Sequence, residues 1–426
     1  MTDKFRSKSE KEKKKSAKKK DSEEKDDIDM LVDDVELKYN LNDYDDDEDG
    51  LMDEEEQKNL IFGNIKGLSY FKSNEEDPYL IIKEDDVDEE EDQNDLEILP
   101  TDSLLLTAST KDNVSYVEVY VYEEADDNLY VHHDFMIPSF PLCVEWLSPF
   151  EGEKGNFVAV GTFEPEIEIW DLDVLDSVYP TAVLGSAGKK DKKKKKKDAS
   201  AGHTDSIMSL SWNREHRNIL ASASADHSVK LWDVCANACV RTFSHHKDKV
   251  QCVQWNPKQS TVIGTASYDK TAVIFDSRLP DDRQATTLKH DVESFKWNPF
   301  EASNFAVSDE SGLLSYYDMR SLKSPLMTIA AHDKSLTCVD FNPFVPNYIL
   351  TSSTDKSIKL WDISSNQATC LYSRNLDIGK VFSALFYFDS PYLVAAGGSK
   401  GLSVINMASN CEKFKNDIQL LASSSQ

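Results

Sequence analysis

Short runs of alternating apolar and polar residues, broken by turns, fill the chain from about residue 98 onward. Four of them follow one another within 203–243: "IMSLSW", "NILASAS", "SVKLWD" and "CVRTF". Apolar, often β-branched or aromatic residues at alternate positions, with Asn, Asp and Ser between the runs, predict four antiparallel strands. The pattern then recurs. An aspartate closes a short aliphatic run at Asp171, Asp233, Asp276, Asp318 and Asp362, with steps of 62, 43, 42 and 44 residues. Trp146, Trp212, Trp255, Trp297 and Phe341 form a second series, with steps of 66, 43, 42 and 44. Both series carry their excess in the same interval, which places an insertion of about 18 residues at 185–202. All seven tryptophans fall on these two series.

Four antiparallel strands per ~43 residues make one blade of a β-propeller. The repeated motifs resemble those of the WD-repeat family. Counting inward from both ends gives an all-β, seven-bladed propeller over 96–410, with blade 1 at about 98–136 and blade 7 at about 380–410. Asn406 stands 44 residues after Asp362, on the same register. Blade 7 lacks a clear fourth strand. In proteins of this family the N-terminal side of the domain supplies it, and "LEIL" (96–99) and "YLIIK" (79–83) are the candidates. Residues 411–426 are left as a short C-terminal extension.

The resemblance also implies an internal hydrogen-bonded set in each blade: a His before the first strand, a Ser or Thr in the second, an Asp in the following turn and the Trp of the third. Blade 3 matches with His203, Ser222, Asp226 and Trp232, and blade 6 with His332, Thr351, Asp355 and Trp361. Blade 4 has His246, Thr265 and Asp269 but Phe275 in place of the Trp. Blade 5 keeps His290 but has Ser311 in place of the Asp. These sets read as structural, because a buried polar network satisfies its own atoms and fixes a turn.

Charge changes the picture outside the repeats. Of the formal net charge of −29, residues 1–20 contribute ten basic against three acidic residues, and residues 21–97 contribute 32 acidic residues against six lysines. Residues 1–95 therefore read as a disordered tail, basic over 1–20 and acidic over 21–95, because blocks of like charge have little to bury. Two stretches within it, 60–71 and 77–83, are apolar enough to dock on a surface. The densest basic run lies inside the 185–202 insertion: Lys189, Lys190, Lys192, Lys193, Lys194, Lys195, Lys196 and Lys197. Three roles fit it: a solubilising loop, a nuclear or nucleolar targeting signal, and contact with RNA or DNA phosphate. No aromatic residue interleaves these lysines, which argues against base-specific reading.

Candidate chemistry is sparse. The seven cysteines are scattered, without paired CxxC or zinc spacing, and read as reduced, mostly buried thiols of a cytosolic or nuclear protein. There is no glycine-rich phosphate loop and no GxSxG elbow. "HHD" (132–134) and "SHHKD" (244–248) come nearest to ligand clusters, and both read better as structural or exposed histidines. No signal segment and no run near the ~20 apolar residues of a membrane span is visible. The expectation is a non-enzymatic, monomeric platform without cofactor or metal.

A narrower resemblance, running from about residue 36 to 407, is to the periodic tryptophan protein 1 family. It rests on "ELKYNLNDYDDDEDG" (36–50), "SNEEDPYLIIK" (73–83), "YVHHDFMIPSFPLCVEWL" (130–147), "IEIWDLDVLDS" (167–177) and the lysine-rich insertion before "GHTDSIMSLSWN". The resemblance implies a nuclear, largely nucleolar scaffold in ribosome production that associates with chromatin at ribosomal genes. Its partners would be ribosome-assembly factors, histones or other basic proteins, with ribosomal RNA or ribosomal-gene chromatin reached through the lysine loop. A different reading comes from "IFDSR" and "SYYDMR", which put Arg278 and Arg320 two residues after the closing Asp of blades 4 and 5. Such paired motifs resemble those of substrate receptors for cullin-based ubiquitin ligases, where both arginines would touch the adaptor.

Overall fold

The computed structural model describes residues 98–99, 101–148, 155–175, 177–186, 202–365 and 367–424. The chain divides into two compact units, Met1–Asp88 and Glu89–Gln426, and every described residue belongs to the second. The tail and the eight lysines at 189–197 lie outside the described residues.

Seven antiparallel sheets follow one another along the chain as the blades of a propeller. Blades 2 to 6 have four strands each, in simple up-and-down order. Blade 3 is typical, with an inner strand Ile207–Trp212, a second strand Ile219–Ser224, a third Val229–Asp233 and an outer strand Ala238–Phe243. The inner strands share a register shift near their start, as at Ile207/Ser209, Val250/Cys252 and Leu336/Cys338. A bulge there adds twist to the strand that lines the channel. The turn after the second strand needs a left-handed residue at a fixed place. His227, Lys270 and Lys356 take it with φ of 66, 67 and 78°, and blade 5 uses Gly312.

The core lies between blades. Ala159, Ile167, Ile169 and Leu184 of blade 2 pack on Ile207, Trp212, Leu220 and Trp232 of blade 3. Packing is close: a Cβ on Gly264 would stand 2.3 Å from the Phe295 ring of the next blade. Polar pins join successive inner strands. Glu145 accepts from Trp212 N–H at 2.9 Å, Ser211 from Trp255 N–H at 3.1 Å, Gln254 from Trp297 N–H at 2.8 Å and Asp340 from Phe386 N–H at 2.9 Å. Blade 5 has Lys296 at this position, and its ammonium lies 3.1 Å from Asp340. Each pin satisfies a backbone group that would otherwise be stranded between sheets.

Among the described residues, two blades have three strands where the others have four. Blade 7 has three strands, Val381–Phe386, Leu393–Gly398 and Gly401–Asn406. Of its candidate fourth strands, 79–83 is outside the described residues, and Ile98 and Leu99 are exposed and not in a strand. Blade 1 also has three strands, Ser103–Lys111, Val114–Glu123 and Asn128–Ile137. The last of these leads straight into the inner strand of blade 2 at Pro141, as outer strands do elsewhere. Leu106, Ala108, Val117 and Phe135 pack on Val158, Val160 and Trp170 of blade 2. The three are therefore the second, third and outer strands, and among the described residues it is the inner strand of blade 1 that is absent.

The C-terminal extension is helical. After a short turn of helix at Met407–Asn410, Glu412–Ser424 forms a second helix. Buried Phe414 meets Tyr348 at 5.0 Å and Phe386 at 6.4 Å between ring centroids, so the helix is anchored on blades 6 and 7. Lys413 pairs with Asp362, and Tyr348 donates to Asp417.

Candidate interaction surface

The blade 3 set is a directed relay. Trp232 Nε1 donates to Ser222 Oγ at 2.8 Å, Ser222 Oγ lies 2.7 Å from His203 Nε2, and His203 Nδ1 lies 2.9 Å from Asp226 Oδ2. With one proton per link, the indole fills a lone pair of Ser222, the hydroxyl donates to Nε2, and Nδ1–H donates to the carboxylate. Burial lowers the His203 pKa, so the ring is neutral at pH 7. Blade 6 repeats the geometry: Trp361 to Thr351 at 3.0 Å, Thr351 to His332 at 2.9 Å and His332 to Asp355 at 2.9 Å. Burial opposes charge on Asp226 and Asp355 too, but hydrogen bonds from serine and histidine prevail and hold both carboxyls below the usual range.

A further member escaped the sequence reading. Ser228, Thr271 and Ser357 stand two residues after the turn aspartates and donate to them at 2.6, 2.5 and 2.6 Å. The recurring D-x-[S/T] of "DHS", "DKT" and "DKS" was the available signal. In blade 4, Thr265 Oγ1 lies 2.9 Å from His246 and 3.2 Å from the Val273 carbonyl, while Phe275 packs edge-on to His245. Burial, with His246 alongside, brings His245 down to about 4. In blade 5, His290 stays half-exposed, 4.0 Å from Glu310. Ser311 cannot accept its proton as a carboxylate would, and Asp309 takes over the turn by accepting from Ser311 and Leu313 N–H, each at 3.0 Å. Blade 2 puts Ile137 and Val160 where the His and Ser would stand, and Trp170 stacks on Phe135 at 4.7 Å and donates to Glu168 at 3.0 Å.

These polar groups are consumed inside the blades. His132 and His133 have their Nδ1 atoms 2.8 Å apart, so one ring donates to the other. Among the described residues no group of three or more His, Cys, Asp or Glu is arranged to hold a metal ion. No helix there is long and apolar enough to cross a membrane.

The two rims are less self-contained. On the rim bearing the His–Asp turns, Phe140 and Phe163 are exposed with centroids 5.4 Å apart. Phe140 also lines a recess of about 330 Å³ with Val114, Ile137 and Pro138. The lysine insertion leaves and returns on this rim. A Cβ on Gly202 would stand 2.7 Å from the Gly185 carbonyl, so the ends of the insertion meet.

The opposite rim carries the loops between inner and second strands. Phe300 and Phe344 take equivalent places there on blades 5 and 6, Phe388 stands one residue earlier in the same loop of blade 7, and the three are 39%, 44% and 62% exposed. Arg214, in the corresponding loop of blade 3, lies 5.5 Å from the Phe388 ring centre. Blades 3 and 7 are not neighbours, so this contact spans the end of the central channel. Arg278 and Arg320 share the rim, with side chains 70% and 74% exposed. Each folds back on its own blade: Arg278 Nη2 lies 2.7 Å from Asp276, and Arg320 Nη2 lies 2.6 Å from Asp318. The Arg278 hydrogen bond holds the Asp276 carboxyl at about 2.

Residues 195–233, 237–276 and 323–362 match the WD domain, G-beta repeat family. The chain is 48% identical to an uncharacterised WD repeat-containing protein of Schizosaccharomyces pombe, over 87% of this chain and 73% of that one. It is 31% identical to periodic tryptophan protein 1 of Saccharomyces cerevisiae, over 93% of this chain and 79% of that one. The periodic tryptophan protein 1 homolog of Drosophila melanogaster is also 31% identical, over 74% of this chain and 69% of its own.

Proposed function

Because the chain belongs to the periodic tryptophan protein 1 family of WD-repeat proteins, we propose that it is a non-enzymatic scaffold in ribosome production, working in the nucleus and nucleolus. Its direct partners are ribosome-assembly factors, histones or other basic proteins, gathered on the propeller rims. The observation that carries this reading is the arc of Phe300, Phe344 and Phe388. Three large apolar side chains in the same loop of consecutive blades are left exposed on one rim. Clustered exposed aromatics mark protein-binding surfaces and supply much of the binding energy there. The acidic tail suits basic partners, and the lysine run at 189–197 suits nuclear entry or phosphate contact.

The test is Phe300→Ser, Phe344→Ser and Phe388→Ser together in the full chain. Recovery of assembly factors should fall about tenfold or more, the effect of losing a binding hot spot, with the melting transition retained. Undiminished recovery would remove the surface from the account.

A second reading has its own observation. Arg278 and Arg320 are equivalent, exposed and identically posed on adjacent blades, as a two-point contact to a cullin adaptor would require. Against it, each guanidinium is already neutralised by its own aspartate. Arg278→Ala with Arg320→Ala should leave ribosomal RNA processing near normal under the scaffold reading. Loss of an adaptor in pull-downs together with the full loss-of-function phenotype would install the ligase reading instead.

A further inference from the structure

Every buried indole N–H but one among the described residues finds an acceptor. Trp170 reaches Glu168, Trp232 reaches Ser222 and Trp361 reaches Thr351, each within its own blade. Trp212 and Trp297, near the ends of inner strands, reach back to the preceding blade. Trp212 Nε1 donates to Ser148 Oγ at 2.9 Å, and Trp297 Nε1 to the Gln254 carbonyl at 3.2 Å. Trp255 holds the same inner-strand position in blade 4 and is 7% exposed, yet its Nε1–H meets no acceptor. Arg214 is the cause. It stands two residues after Trp212, as Ser148 stands two residues after Trp146, and a guanidinium can only donate. A buried donor left unpaired is costly in the folded chain, and it becomes paired only if an acceptor comes from outside that chain.

The unpaired indole borders a recess of about 300 Å³ at the seam of blades 3 and 4. Ile219, Leu231 and Val240 of blade 3 line its apolar side together with Trp255, and Val240 is 56% exposed. Trp212 and Trp297 both aim their N–H groups at the end of the preceding inner strand. For Trp255 that place is the end of Ile207–Trp212, and Asn213, next along the chain, lines the recess, so the unpaired N–H is aimed at it. Charge adds a third observation. Arg241 and Arg278 line the recess, and no Asp or Glu among the described residues does. Arg278 is held by Asp276. Arg241 is exposed and pairs with no carboxylate among the described residues; its Nη1 donates to the Ser277 carbonyl across the seam, at 2.5 Å. An apolar recess with an unpaired cation and a buried free donor beside it suits a ligand that is apolar, anionic and able to accept a hydrogen bond.

We propose that this seam binds an extended acidic segment of a partner protein, with one aliphatic side chain of that segment filling the recess. In an extended chain, side chains two residues apart share a face. The aliphatic residue packs on Ile219, Leu231, Val240 and the Trp255 ring. A backbone carbonyl beside it accepts from Trp255 Nε1, and a carboxylate two residues along pairs with Arg241. The site lies on blades 3 and 4, away from the phenylalanine arc of blades 5 to 7, and it selects the opposite charge from the basic partners proposed above. It therefore stands or falls apart from that reading.

The probe is a fluorescent peptide with one leucine flanked on each side by glutamates, titrated into the full chain and followed by anisotropy. Saturable binding is expected. It should weaken at least about tenfold when the leucine is replaced by serine or the glutamates by lysines. Val240→Glu, at an exposed position, should weaken it by about the same factor through charge repulsion. Trp255→Phe removes the N–H and keeps an aromatic ring, and should weaken it about fivefold. Absence of saturable binding, or binding indifferent to the leucine and to Val240→Glu, would overturn the proposal. Should Trp255→Phe fail to fold, the serine peptide and Val240→Glu decide alone. Val240→benzoylphenylalanine identifies the occupant. On irradiation with the probe at saturation, an adduct to the probe is expected; an adduct to a second copy of the chain, or to another segment of the same chain, would overturn the assignment.

Discussion

Each hydrogen bond of the blade 3 and blade 6 relays has one allowed direction, because the indole can only donate and the carboxylate only accept. Removing the indole therefore costs twice. Trp361→Ala opens a cavity between blades 5 and 6 and leaves Thr351 without its donor, and it should lower stability by roughly 3–5 kcal/mol in denaturant unfolding. A loss below about 1 kcal/mol would show that the ring is not packed as described. The pH response follows from the same atoms. His203 and Asp226, like His332 and Asp355, are held below their ordinary pKa values. For groups whose folded pKa is depressed, the unfolded chain binds more protons, so stability is full above the unfolded values and is lost as pH falls through the folded ones. Stability should fall as pH drops below about 6.5, the ordinary histidine value, and more steeply below about 4, the ordinary aspartate value. Asp226→Asn with Asp355→Asn should be less stable at pH 7 and should lose less on acidification than the parent; parallel pH profiles for the two proteins would refute the assignment. His203 and His332 were legible because they recur in phase with the tryptophans. His290 recurs in phase too, yet stays outside any such network, because the partner that would capture it is Ser311.

Strand-level organisation was mostly legible, since alternation and the ~43-residue period act together on every blade. The order of strands within blade 1 was not. Its three runs have the right pattern for any position in a sheet, and only packing against blade 2 reveals which edge is open. The C-terminal helix was also missed, because residues 412–424 are mostly polar with few anchors. Phe414 is the main anchor, so Phe414→Ala should cost roughly 3–5 kcal/mol by cavity formation, with hydrogen exchange rising first in blades 6 and 7. Unchanged exchange there would show the helix to be an appendage. The lysine insertion should behave in the opposite way. Its ends meet at Gly185 and Gly202, so deleting 189–197 and joining the ends with a short Gly/Ser linker should leave stability within about 1 kcal/mol. If the loop grips phosphate, salt-sensitive binding to ribosomal RNA should weaken with it. If it is only an address, a heterologous nuclear signal should restore function without restoring any binding.

Among the described residues, the His–Asp networks are turned inward and several large apolar side chains are left on the rims. Histidines, aspartates and tryptophans close on one another within blades, while Phe140, Phe163, Phe300, Phe344 and Phe388 stay exposed. A propeller arranged this way is suited to holding other macromolecules in fixed relation. The most direct measurement is pulse-labelling of ribosomal RNA in cells that depend on one variant of this chain. The account predicts that Phe300→Ser, Phe344→Ser and Phe388→Ser together cause precursors to accumulate, at normal protein level and melting temperature, whereas Arg278→Ala with Arg320→Ala processes them at the parental rate. Normal processing in the phenylalanine variant with a block in the arginine variant would contradict it.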